Sequence, residues 1–355
     1  MHARRSKTAA SLAIAGIATA LAALPHARAV SAGSRAGFAD VEVLTSTGAL
    51  PAHMAGQLTD PYGYSMTSTG DFIVLDRRAH AVFGIDRTRT TLRRVLEIGQ
   101  EIGRIIEPGV ISLAANDVFA VADAPAGFER IQTFTDGGSR IGGFYLPRRP
   151  GARLTVGSIV VSGLGSMQYT GRSVLLNQPQ LSSLFSELDL DGNVVRHVGT
   201  LRRTGYEAEA DLHQALNVGL PLVDPSGGFF FVFQSGVPMF RKYDAKGTLV
   251  FERHIEGPEI DGPILTLPTT WPARPAGSRT FPLVPALVQA AGVDRSGRLW
   301  VSLSSSHTYV YDRRGEKIHT VQFRGAGVIA PSSLFFAANG RLLVTPGCYE
   351  FTPPW

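Results

Sequence analysis

Apolar residues in this chain fall in short runs broken by Gly, Asn, Asp and Ser, a spacing that predicts strands rather than helices. Tyr62–Thr67, Phe72–Asp76, Ala81–Asp86 and Leu92–Ile98 read as four successive strands. Gly109–Ala114, Val118–Asp123, Glu129–Thr135 and Arg140–Leu146 read as four more, separated at Asn116-Asp117, at Ala124-Pro125-Ala126-Gly127 and at Asp136-Gly137-Gly138. Farther along, Ser173–Asn177, Phe229–Gln234 and Leu299–Leu303 repeat the plan with looser spacing.

The turns carry a period. Ser68-Thr69-Gly70-Asp71, Ala115-Asn116-Asp117, Tyr169-Thr170-Gly171-Arg172, Pro225-Ser226-Gly227-Gly228, Arg295-Ser296-Gly297-Arg298 and Ala338-Asn339-Gly340-Arg341 recur at intervals of roughly 43 to 70 residues. A second set carries Asp86, Asp136, Asp191-Gly192-Asn193, Asp244-Ala245-Lys246-Gly247 and Asp312-Arg313-Arg314-Gly315, where Asp caps its own turn and Gly supplies positive φ. Repeats of this length predict an all-β, six-bladed β-propeller with four-stranded blades. The sixth copy lacks an outer turn, while an unpaired run, Phe38–Thr45, precedes the first blade. Blade faces are covered only by neighbouring blades. This N-terminal strand is therefore expected to pair in the last blade and close the ring. Gly257 to Pro285 is proline-rich and reads as a semi-rigid insertion loop rather than a strand.

Composition changes the picture at the N-terminus. Arg4, Arg5 and Lys7, the apolar stretch Ala9 to Leu24 and Ala27-Arg28-Ala29 have the order of a signal peptide over 1–29, leaving 30–355 as one domain. Ser6-Lys7-Thr8 lacks the hydrophobic residue of a twin-arginine leader, so general secretion to a periplasmic or extracellular location is expected. The formal charge of +5 falls to about +1 once the leader's four cations (Arg4, Arg5, Lys7, Arg28) are set aside. That balance, with basic pairs scattered through turns, argues against nucleic acid as a partner. No later segment reads as a membrane span. Cys348 is the only cysteine and reads as a buried thiol.

The second blade resembles the NHL repeat: Glu107-Pro108-Gly109-Val110, Val118-Phe119-Ala120-Val121-Ala122-Asp123 and Glu129-Arg130-Ile131-Gln132-Thr133-Phe134 match its Pro-Gly, V-x-V-x-D and R-I-Q-x-F elements in order. Pro61-Tyr62-Gly63 with Val74-Leu75-Asp76, and Gly297-Arg298-Leu299-Trp300-Val301 with Tyr309-Val310-Tyr311-Asp312, keep parts of the pattern. The resemblance implies a scaffold shared by protein-binding propellers, calcium-dependent lactonases and an amidating lyase.

If the loops leading into each blade share a face with those joining second and third strands, that face gathers Arg77, Arg78, His80, Asp123, Asn177, Gln178, Gln234 and His307 as candidate ligand-binding residues. The approach to the fourth blade adds Glu207, Glu209, Asp211 and His213, which share one side if the segment is extended. Glu209, Asp211 and His213 are candidates for a divalent cation such as calcium, although a calcium shell takes six or more oxygens. Each residue has a plainer role open to it: Asp76 and Asp123 as acceptors for backbone N–H groups, Glu207 to His213 as a solvated loop. Ser304-Ser305-Ser306 before His307 lacks a nucleophile elbow and reads as a turn. The expectation is an exported propeller that binds a protein, peptide or glycan through its channel-mouth loops. The alternative is a metal-dependent hydrolase or lyase of the lactonase type.

Overall fold

The second strand of every repeat is a nearly continuous apolar run, and the fold explains why. The computed structural model describes residues 41–147, 153–156, 159–162, 166–276 and 279–355. The expected signal peptide and the first residues of the Phe38–Thr45 run lie outside them. Six antiparallel sheets stand side by side as blades. The first is Pro61–Met66, Phe72–Asp76, Ala81–Ile85 and Leu92–Leu96; the second is Val110–Leu113, Val118–Asp123, Arg130–Thr135 and Arg140–Tyr145. The third is Met167–Tyr169, Val174–Asn177, Ser183–Leu188 and Val194–Thr200; the fourth is Gly219–Val223, Phe229–Phe233, Met239–Tyr243 and Leu249–His254. Val288–Val293, Leu299–Leu303, Thr308–Tyr311 and Lys317–Arg324 make the fifth, and Ser333–Phe336, Leu342–Thr345 and Tyr349–Phe351 most of the sixth.

Each first strand contacts the first strands of both neighbouring blades, including the sixth with the first, so the ring is closed. Six apolar cores follow, one in each gap. A second strand such as Phe229–Phe233 is buried at every position because blades cover both of its faces. The outermost Leu249–His254 is mostly exposed.

Ring closure is made by a shorter segment than expected. Gly48–Ala49 pairs with Tyr349–Phe351 and supplies the fourth strand of the last blade. Val41–Thr45 instead runs parallel to Lys317–Arg324 as a fifth strand on blade 5, with Leu44 in the core between blades 5 and 6 and His319 Nδ1 2.5 Å from Glu42 Oε1. Two bonds carry the chain from one blade to the next: Ser46 N–H donates to Arg324 C=O and Thr47 N–H to Glu350 C=O. The buried Glu350 carboxylate then accepts from Arg89 of blade 1, from Arg341 at 3.0 Å and from the Tyr64 hydroxyl at 3.3 Å.

The outer turns follow the expected chemistry with two changes, the first in blade 2, where Thr135 Oγ1 rather than Asp136 accepts the Ser139 N–H at 3.1 Å. Asp244 Oδ1 accepts the N–H groups of Lys246 and Thr248, and Asp312 Oδ1 those of Arg314 and Glu316. In blade 3 the capping carboxylate is Asp189, which accepts from the N–H groups of Asp191 and Asn193; Asp191 is the third residue of the turn.

The proline-rich insertion is more regular than a loop. Pro258–Leu265 is a helix with Pro258 at its start, where a missing N–H costs nothing. Ala273–Ala276 and Arg279–Pro282 form a two-stranded ribbon, in which both strands are edges and proline is tolerated.

Candidate ligand-binding channel

The first strands enclose a central channel of about 500 Å³. Its wall is built from residues of these strands, among them Ser112, Leu113, Gln168, Leu220, Leu222, Gln289, Ala291, Ser333 and Leu334. At one end it reaches the six repeated turns through Ser68, Asp117, Thr170, Pro225, Arg295 and Ala338. The loops joining second and third strands contribute nothing to its wall. The end of the channel framed by the repeated turns lies on the face opposite to that of the loops joining second and third strands.

Its polar groups are fixed by the walls. Ser112 Oγ accepts the Tyr169 N–H at 2.9 Å, and Gln168 Oε1 accepts the Val223 N–H at 2.6 Å, each bond reaching the next blade. Gln289 Nε2 donates to Ala286 C=O at 3.2 Å, and Ser333 Oγ lies 2.6 Å from Thr345 Oγ1. Asp117 and Arg295, both in the turns, are the only side chains of the lining, among the described residues, that carry a full charge. The interior is an uncharged surface of hydroxyl, carboxamide and apolar groups.

The sequence-predicted residues lie outside the channel, and most have structural partners. Asp123 and Arg130 form a buried bidentate pair, at 2.9 and 2.6 Å, and Arg130 also donates to the carbonyls of Gln100, Glu101 and Arg104. Asp123 further accepts the Ile106 N–H, and Asp76 accepts those of Thr59, Asp60 and Ala79. At the corresponding repeat position Asn177 Nδ2 donates to Leu184 C=O and Gln234 Nε2 to Val288 C=O. The V-x-V-x-D carboxylate and its counterparts are thus anchors for hairpins and connecting segments. Arg77 pairs with Asp60 at 3.2 Å and lies over Tyr62, its one link to the channel wall. Arg78 is exposed beside it, and His80 Nδ1 accepts the Glu107 N–H at 3.3 Å. Gln178 is buried next to Asn177.

The acidic segment before blade 4 is not extended. Ala210–Ala215 is a helix with Glu209 as N-cap, so Asp211 and His213, two residues apart, point to different sides. Leu212, Ala215 and Leu216 pack with Trp271, Val284 and Ala286, and that burial selects the helix. Glu207 closes its own turn through the Thr204 and Gly205 N–H groups, which hold its carboxyl below the ordinary value. His213 Nδ1 lies 2.7 Å from Thr204 Oγ1. Glu209, Asp211 and His213 form no metal-holding group, and no such group of three His, Cys, Asp or Glu side chains exists among the described residues.

On that face Asn177 Oδ1, Ser305 Oγ, His307 Nδ1 and Trp271 Nε1 are buried polar atoms without a hydrogen-bond partner. Sequence reasoning missed the channel wall. Its signal was a single polar residue inside three of the apolar first strands: Ser112 between Ile111 and Leu113, Gln168 between Met167 and Tyr169, Gln289 between Val288 and Ala290.

A streptogramin B lyase has a similar solved structure, with 11% identity, 82% of this chain and 91% of that one covered, and a TM-score of 0.50. A virginiamycin B lyase from Staphylococcus aureus gives 10%, 84%, 85% and 0.48, and a calcium-binding protein, regucalcin, from Agrobacterium tumefaciens gives 10%, 88%, 95% and 0.48. At these identities the likeness concerns the fold alone. No family model and no curated protein matches the chain. No helix among the described residues is long and apolar enough to cross a membrane.

Proposed function

We propose that this chain is an exported binding propeller that takes a segment of a peptide, protein or glycan into its central channel from the face of the repeated turns. The observation that carries this reading is the wall itself: hydroxyl, carboxamide and apolar groups held in place by bonds such as those of Ser112 and Gln168, with charge only at the mouth. A pre-formed pocket with a few fixed polar groups binds and orients a ligand without the acid, base or metal that turnover requires. Export belongs to the same proposal and rests on the leader-like residues 1–29. So does kinship with NHL-type propellers, supported by the ordered elements of blade 2 and by the structural use made of Asp123, Arg130 and Gln132.

Native mass spectrometry of the purified protein against uncharged peptide and oligosaccharide libraries tests it. Retained ligands are expected with the wild type and are lost in Ala291→Trp, which adds an indole to the channel wall. Equal retention by that variant, at an unchanged melting temperature, removes the channel from the account. A hydrolase or lyase is the second reading, favoured by the unpartnered His307 Nδ1 and Ser305 Oγ on the opposite face. A lactone-hydrolysis screen with and without calcium decides it: turnover lost in His307→Ala but kept in Ala291→Trp establishes the enzyme.

A further inference from the structure

The two charges of the lining are placed in a particular way. Asp117 lies in the first turn of blade 2 and Arg295 in that of blade 5. The first strands touch in the order of blades 1 to 6 and back to 1, so blades 2 and 5 stand opposite one another. A carboxylate and a guanidinium thus stand on opposite sides of the mouth, each bonded along the rim to a neighbouring blade, in a channel whose lining is otherwise uncharged among the described residues.

Neither charge is neutralised by another described residue. Asp117 accepts the N–H and hydroxyl of Ser68 in blade 1, two neutral donors that orient the carboxylate and leave its charge uncompensated. Arg295 Nη1 donates to Ala338 C=O in blade 6, which steadies the guanidinium and leaves Nε and Nη2 for another acceptor. Among the described residues neither side chain takes part in an ion pair. The other ionic groups of these turns are engaged elsewhere: Arg341 with Glu350, Arg298 with Asp294, and Asp71 with the Arg87 N–H. Arg172 is exposed in blade 3 and is not part of the lining.

We propose that the channel mouth recognises a short zwitterionic peptide, with its α-ammonium at Asp117, its α-carboxylate at Arg295, and uncharged side chains directed into the channel. The inference rests on the channel-binding reading above and specifies the ligand. A peptide supplies both charges at the ends of an amide-rich body, and amides suit the Ser112, Gln168 and Gln289 wall. A guanidinium with two free donors suits a carboxylate, which it meets with two parallel bonds. A neutral glycan uses neither charge, and a ligand of single sign meets repulsion at one of the two.

Calorimetric titration of the full chain provides the test. The probes are peptides of about three to five uncharged residues, each residue adding roughly 3.3–3.6 Å of reach, in free, N-acetylated, C-amidated and doubly capped forms. The free form should bind tightest, each cap weakening binding by about ten- to a hundredfold. Asp117→Asn should abolish the penalty of acetylation only, and Arg295→Gln that of amidation only. Both substitutions keep a group able to bond Ser68 or Ala338, and Asn tolerates the positive φ of 59° at position 117. Equal binding of free and capped peptides overturns the mouth assignment and leaves the channel reading standing. Binding of neutral oligosaccharide with no peptide bound in any form overturns the peptide. Failure of both probe classes, with Ala291→Trp behaving as wild type, overturns the channel reading itself.

Discussion

At the scale of single residues, buried and turn-forming side chains set the chemistry. Cys348 is buried among the side chains of the core between blades 6 and 1, and burial pushes its thiol up to about 12. A thiol held in that state is a poor nucleophile. It should resist a thiol-reactive reagent in the native protein and react at once in denaturant, which absorbance of the released chromophore reports. Rapid native labelling would show that blade 6 opens. The turn carboxylates behave in the opposite sense. Hydrogen bonds from Thr88 and the Thr91 N–H pull Asp86 down to about 2, and those from Asn193 and Thr248 pull Asp189 and Asp244 below the ordinary value. Carboxyls depressed in the folded state add stability above the unfolded value of about 4 and lose it as pH falls through the folded ones. Thermal midpoints should therefore drop between pH 4 and 2, and the triple Asp→Asn variant at 86, 189 and 244 should show a shallower drop. An unchanged slope places acid sensitivity elsewhere.

At the scale of elements, a repeated sequence position proves to be an anchor. Asp123 holds Arg130, and Arg130 with Gln132 gathers the carbonyls of the segment leading into blade 2. Asp123→Ala leaves a buried guanidinium without its counter-charge and should cost about 3–5 kcal/mol in guanidinium denaturation. Faster hydrogen exchange should accompany it at Gly103 and Ile106, whose N–H groups bond Gln132 and Asp123. A loss under about 0.5 kcal/mol, the size of an ordinary surface change, contradicts the anchor. The strands were legible because blade-to-blade packing leaves continuous apolar runs such as Phe229–Phe233, and the outer turns because Asp and Gly have backbone reasons to be there. The helix Ala210–Ala215 was not, because Glu207 to His213 alternates in a way that suits a strand and only contact with Trp271 and Val284 decides against it. Gly48–Ala49 is too short to show any period. The polar channel wall was hidden because single residues such as Ser112 and Gln168 look like interruptions of a core strand.

At the scale of the whole molecule, the ring depends on one seam. Gly48–Ala49 pairs with the last strand, Arg89 of blade 1 donates to Ala49 C=O and to Glu350, and Arg341 completes the cluster. Glu350→Gln keeps the volume and removes the charge that both guanidiniums share. The lower end of the cost for breaking a buried pair, about 3 kcal/mol, is expected because Arg341 is half exposed. Equilibrium unfolding measures this, and a wild-type midpoint in the variant would move the seam's stability to the Leu343–Tyr64 core. The closed ring gives the six turns a second role, since the residues that mark the repeat also frame the channel mouth. Hydroxyl-radical footprinting of the protein with and without its bound ligand tests the central claim most directly. The account predicts protection at Tyr62, Leu113, Leu222 and Phe336, which line the channel, with no change at Phe128, Leu181 and Val237, which are exposed on the opposite face. Protection of Phe128, Leu181 and Val237 with the channel residues unchanged would contradict it.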